Sequence, residues 1–163
     1  MNAKDVLDRT MAVGDRIVGK YLEDLGDADL LLRPIPGMNH IAYQLGHIIS
    51  SERHFMELIE PGSCPPLPDG FDANYKKDAS GVDDPKKFLT KDQYQELWKA
   101  QRVATKRVIA GLPDARLDEE DPQKYPAFAP SVGAILNLVA FHPIMHSGQW
   151  VAVRRQLKKP VVI

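Results

Sequence analysis

An all-α fold built as a four-helix bundle is predicted by three observations. Apolar residues recur at helical spacing in four stretches, the Pro and Gly residues cluster between those stretches, and no segment alternates as a half-buried strand does. Four amphipathic stripes bury their apolar faces only by packing on one another.

The first helix starts from Asn2 as its cap, carries Leu7, Met11, Ile17, Val18, Tyr21 and Leu25 on one side, and is expected to close at Gly26. The connection DADLLLRPIPGM leads to Asn39, the expected cap of the second helix. Ile41, Leu45, Ile48, Phe55, Met56 and Ile59 form that helix's stripe to about Glu60, with Pro61 as its stop. Because the first connection is short, these two helices are expected to be antiparallel neighbours. Residues 61–89 are rich in Pro and Gly without a sustained period, and loops of that length often carry function. Thr90 and Gln93 read as a capping box for the third helix, whose stripe of Tyr94, Leu97, Trp98, Val108 and Ile109 runs to Gly111 and Pro113. A second irregular segment, PDARLDEEDPQKYPAFAP, precedes Ser131, the cap of the fourth helix. Ile135, Leu136, Val139, Val153 and Leu157 carry its face, and Pro160 lies beyond its end.

Residues 1–163 are expected to form one domain, long enough to bury about two-thirds of the unfolded chain's surface. Lys and Arg number 21 against 22 Asp and Glu, a formal charge of −1 that gives no electrostatic reason to expect nucleic acid or an acidic membrane as partner. MNAKDVLDRT lacks the apolar centre of a secretory signal, and no uncharged apolar run reaches the roughly 18 residues of a membrane helix. The single Cys64 precludes an internal disulfide and fits a reducing compartment, so a cytoplasmic location is expected.

The five histidines, His40, His47, His54, His142 and His146, all fall in the second and fourth helices. His142 and His146 are four residues apart, so they diverge by only roughly 40° around the helix and their Cβ atoms lie roughly 6 Å apart. Ile135, Val139, Gln149 and Val153 share their side, which points the pair inward. An isolated pair of this kind serves equally well as hydrogen-bonded core residues or as ligands of one ion. His40, His47 and His54 repeat every seven residues, a rise of about 10.5 Å, so at most one of them can join the pair at a metal with bonds of about 2.0–2.1 Å. His47 lies in the middle of the helix; His40 is in its first turn, and His54, beside Arg53, has a boundary setting. Three imidazoles from two helices leave a fourth position open, the arrangement of a reactive site.

The segments NHIAYQLGHIISSE and FHPIMHSGQWVAVRRQLKKP, with their LGHI and HSGQ centres, resemble the DinB-like superfamily of four-helix metalloproteins over nearly the whole chain. The resemblance implies an up-down-down-up bundle with long loops after helices two and three. It also implies a divalent metal on His47, His142 and His146, and a homodimer. Zinc or nickel is the expected ion, although three imidazoles also suit copper or iron. Some members resemble transferases that use low-molecular-weight thiols and others hydrolases, so a metal-dependent reaction on a small molecule is expected. The alternative is a non-catalytic dimeric module that binds a metal or ligand.

Pro143 departs from a regular fourth helix: it removes a backbone N–H, crowds the carbonyl of Val139 and is expected to bend the helix at His142. It also stands where a zinc protease of the HExxH type needs its glutamate. Glu52 sits in the apolar stripe of helix two, where it either orients a ligand imidazole or pairs with an Arg of another helix; the ion pair is favoured. Gln149 has two readings, a hydrogen bond to water at the ion or a contact between helices. Cys64 has no neighbouring base in sequence and is not a candidate nucleophile. Trp98, Trp150, Tyr43 and Phe141 read as core or dimer-face aromatics.

Overall fold

A computed structural model describes residues 1–161 and is all-helical, with four long helices and two short ones among the described residues. The long helices are α1 (Ala3–Leu22), α3 (Ile41–Ile59), α5 (Lys91–Gly111) and α6 (Val132–Gln156). The short ones, α2 (Asp27–Leu30) and α4 (Phe71–Asn74), lie within segments expected to be irregular. Single turns of four residues carry no period that a sequence pattern could reveal.

Three of the expected caps form. Asn2 and Asp5 exchange side-chain and backbone hydrogen bonds of 2.9 Å at the start of α1. Thr90 and Gln93 do the same for α5, and Ser131 accepts the Ala134 N–H for α6 at 3.2 Å. The cap of α3 is His40 and not Asn39: its Nδ1 accepts the Tyr43 N–H at 2.9 Å while Nε2–H meets the Val82 carbonyl at 3.1 Å. Gly26 does not close α1. That helix ends at Leu22, and Gly26, with φ of −93°, opens α2, its N–H held by the Asp29 carboxylate at 2.9 Å.

α1 packs chiefly on α6, while α3 lies against α5 and α6. The first two long helices are therefore diagonal to one another, contrary to the neighbouring pair expected from a short connection. Eighteen residues, with α2 among them, give that connection enough reach to cross. α6 is held at its far end by Arg154, whose buried guanidinium bonds Asp24 at 2.6 and 3.1 Å and the carbonyls of Tyr21 and Pro160 at 2.8 and 2.7 Å.

The buried apolar residues form two clusters. One gathers Val18, Ile48, Ile49, Trp98 and Trp150, and the other Met11, Met56, Val108, Val132 and Val139. Between them along the helices lies a polar layer. Arg102 of α5 pairs with Glu52 of α3 at 3.0 Å and Asp15 of α1 at 2.9 Å, stacks 4.4 Å over Trp98, and reaches the Val139 carbonyl of α6 at 3.5 Å. Thr105 donates to Glu52 at 2.7 Å. Glu52 thus takes the ion-pair role, with burial pushing its carboxyl pKa up and Arg102 opposing. α6 remains helical through Pro143, and the carbonyl that the proline deprives of its partner is the one Arg102 approaches.

Arg102→Ala leaves the Glu52 carboxylate buried without its counter-charge. We expect a loss of about 3–5 kcal/mol in urea unfolding, against within about 0.5 kcal/mol for Lys99→Ala on the exposed side of α5. Equal effects of the two substitutions would contradict a central role for the ion layer.

Candidate metal centre

The fold brings His47, His142 and His146 together beside the polar layer. A ring nitrogen from each lies within 4.8 Å of those of the other two. The ring centroids are 5.1 Å apart for His47 and His142, 5.3 Å for His47 and His146, and 4.6 Å within the α6 pair. His40 and His54 stand outside this group, His40 as the α3 cap and His54 on the exposed surface.

The protonation of His146 follows from three fixed groups. The Trp150 indole is only a donor and the Asn39 carbonyl only an acceptor. They meet opposite ends of the Gln44 amide, Trp150 Nε1–H donating to Oε1 at 3.0 Å and Gln44 Nε2 donating to Asn39 at 2.8 Å. Gln44 Oε1, so oriented, faces His146 Nδ1 at 3.2 Å, which makes that nitrogen the protonated one. The lone pair of His146 is then on Nε2, 2.9 Å from Nε2 of His142 and turned into the cluster. A hydrogen bond that fixes the outer nitrogen of a ligating imidazole is the usual companion of a metal site.

His47 is set by its neighbours too. Its ring stacks parallel to Tyr43 with centroids 6.1 Å apart, and the Tyr75 carbonyl partly opposes the lowering of its pKa by burial. Tyr75 reaches this place because residue 46 is glycine: a Cβ there would fall 2.0–2.3 Å from three atoms of the Tyr75 ring. The Tyr75 hydroxyl is anchored in turn on that of Tyr94 at 2.6 Å. The glycine of the LGHI segment is thus a seat for the Tyr75 ring, next to the candidate ligand His47 in sequence.

Burial holds all three rings neutral. It lowers the pKa of His47; His142 falls to about 3, with His146, His47 and Arg102 adding to the effect, and His146 falls to about 4, with His47 adding. Neutral imidazole is the ligating form. Nitrogens around a tetrahedral ion are roughly 3.3 Å apart for bonds of about 2.05 Å, so this donor set needs to contract by roughly 1.5 Å at most. The residues fit a divalent ion that accepts nitrogen ligands.

Gln149 falls differently from expectation. It is exposed, because the buried row of α6 runs through Val139, Pro143, Ser147, Trp150 and Arg154. His142 and His146 flank that row rather than centre it. Gln44 takes the polar role and was not singled out in the sequence, although a glutamine three residues before His47 in an apolar run was the available signal. Tyr43, Trp98 and Trp150 are core residues, whereas Phe141 is 39% exposed. The Cys64 thiol accepts from Gln101 at 3.3 Å and its pKa is raised by burial, which disfavours the thiolate.

The sequence model of the DinB superfamily matches residues 16–150. No curated protein matches the chain. Among solved structures, the crystal structure of the conserved protein of locus from Enterococcus faecalis is similar with a TM-score of 0.72 at 16% identity, over 98% of this chain and 99% of that one. At that identity the likeness speaks to the fold.

Two outcomes are expected. Gly46→Ala should cost about 1–3 kcal/mol of stability by displacing Tyr75, read by urea unfolding; an unchanged midpoint would mean that the ring is not seated there. The second concerns pH in metal-free protein. Unfolded, His142 and His146 take protons near pH 6.5; folded, they stay neutral to about pH 3 and about pH 4. In between, the unfolded chain binds more protons, so the stability from the neutral pair is complete above about pH 6.5 and is lost as pH falls toward about 4. The midpoint should drop over that window and drop less in a His142→Gln/His146→Gln variant; parallel profiles would refute the assignment.

Proposed function

The chain belongs to the DinB superfamily, and from that premise we propose that it holds one divalent metal ion on His47, His142 and His146 and acts on a small molecule at the remaining position. The observation that carries this reading is the convergence of three neutral imidazoles with the donor face of His146 fixed by Gln44. Zinc or nickel is the expected ion. Bound there, such an ion supplies Lewis acidity, polarising a substrate oxygen and favouring the anionic form of water or of a low-molecular-weight thiol. The chain's own part is to keep the rings unprotonated and to hold the orientation of His146 through Gln44 and Trp150. Transfer to or from a thiol and hydrolysis are the two reactions that this arrangement supports.

The up-down-down-up order belongs to the same reading, supported by the meeting of the ends of α1 and α6, where Arg154 bonds Tyr21 and Asp24. Homodimer formation is supported by apolar side chains left exposed on α1 and α6: Val13, Phe141 and Met145. No described helix is long and apolar enough to cross a membrane, and a cytoplasmic location is proposed on the sequence evidence alone.

A specific observation favours the non-catalytic alternative. Among the described residues, the side chain outside the trio that hydrogen-bonds to it is an amide, Gln44, which neither takes nor gives a proton in catalysis. Metal analysis of untagged protein is the first test: about one equivalent is expected in wild type and a near-complete loss in His47→Ala and in His146→Ala, with helical circular dichroism retained. Folded wild type that stays metal-free under supplementation would overturn the proposal. Metal-dependent turnover in a screen of thiols with electrophilic acceptors, and of simple amides and esters, separates enzyme from binding module.

A further inference from the structure

A cleft of about 410 Å³ opens along the outer face of α3, with His47 in its lining and the segment around α4 as its opposite wall. Its size is that of a site for a small molecule. The charges around it are not evenly matched. Of the two acidic residues in the lining, Glu57 gives both oxygens to the loop that follows α3, accepting the N–H groups of Gly62 and Cys64 at 2.7 and 3.2 Å. Asp72 accepts the Ser50 hydroxyl across the cleft at 2.6 Å. The basic residues are less engaged: Arg53, Lys76 and Lys77 form no ion pair within 4.0 Å among the described residues, although the Arg53 charge helps hold the Glu57 carboxyl down. Arg53 Nε is moreover buried without a hydrogen-bond partner. A buried donor left unsatisfied costs free energy, which a shift of the side chain toward a bound acceptor would recover. Asp78, next to Lys77 in sequence, acts on the Tyr43 hydroxyl and is not part of the lining.

We propose that this cleft binds a small carboxylate-bearing molecule, its carboxylate on Arg53 with Lys76 and Lys77 opposite, and its apolar body against Phe55 and Tyr75. A guanidinium fork matches a carboxylate in shape as well as charge. Arg53 lies six residues beyond His47, a rise of about 9 Å along α3. Both residues line the cleft, so a molecule held by its carboxylate at the Arg53 end has its other end toward His47. Only that last point rests on the metal-site reading; the carboxylate site stands on the cleft itself.

The test compares benzoate with benzamide, which share shape and differ in charge. Amide chemical shifts are followed by NMR in protein as isolated, its metal content measured, and again after zinc addition. Benzoate should shift residues 50–57 and 72–77 saturably, bind roughly tenfold more tightly than benzamide, and weaken by a similar factor in Arg53→Gln and in Lys76→Gln/Lys77→Gln. The lysine variant alters exposed residues only, so it keeps the test valid if Arg53→Gln misfolds. Equal binding of the two probes, or benzoate affinity unchanged by the lysine variant, overturns the proposal. Shifts centred on His47, His142 and His146 that appear only with zinc also overturn it, because the carboxylate would then be a ligand of the ion. Charge-dependent benzoate binding in protein that takes up no metal upholds the cleft while defeating the metal reading. A zinc-loaded protein indifferent to benzoate does the reverse.

Discussion

The guanidinium of Arg102 is buried where the four long helices meet, and its needs dictate how they meet. A cation taken out of water requires opposite charge and acceptors at short range. Here they come from every direction: Asp15 on α1, Glu52 on α3, the Trp98 face on α5 itself and the Val139 carbonyl on α6. Apolar side chains tolerate a slip of one helix along another more readily than this layer does, since a slip would strand a charge. The two apolar clusters supply area on either side of it, and Arg102 supplies register.

Register matters because the imidazole cluster draws on distant segments. His47 is nearly a hundred residues from His142, and the bond between Gln44 and His146 joins α3 to α6 across 102 positions. Arg102 also contributes directly, its positive charge being among the causes that keep His142 unprotonated. Packing, protonation and ligand geometry are thus solved in one stretch of the interior. The apolar clusters flanking it exclude water and produce the desolvation that lowers the histidine pKa values.

Much of this was legible in the sequence, and the reasons are local. Asn2, Thr90 with Gln93, and Ser131 cap helices through bonds spanning three residues, so their effect is visible without tertiary knowledge. The convergence of His47 with His142 and His146 followed from spacing together with a family resemblance. What escaped was decided at long range. Asn39 and His40 are both capable of capping α3, and the Val82 carbonyl, which fixes the His40 tautomer, comes from 42 residues away. Gly26 was assigned to a helix end because it follows an apolar run; its extended backbone instead starts α2. Gln44 resembles any polar residue in a helix until Trp150 and Asn39 orient it. Gln149 reads as an inward residue when the histidine pair marks the centre of the buried face, whereas that face is centred on Pro143, Ser147 and Trp150.

Pro143 is where the ion layer and the imidazole cluster join. From the sequence it is a defect, since it costs α6 a hydrogen bond one residue after a candidate ligand. In the folded chain the cost is offset in two ways. The freed carbonyl of Val139 gives the Arg102 guanidinium an acceptor that a regular helix would not have exposed, and the ring itself is buried in the row that faces the interior. His142, immediately before it, is carried at the edge of that row, near enough to the core to be desolvated and far enough out to meet His47. A residue that looks like an obstacle to the site is, by this account, part of what couples the ion layer to the imidazoles.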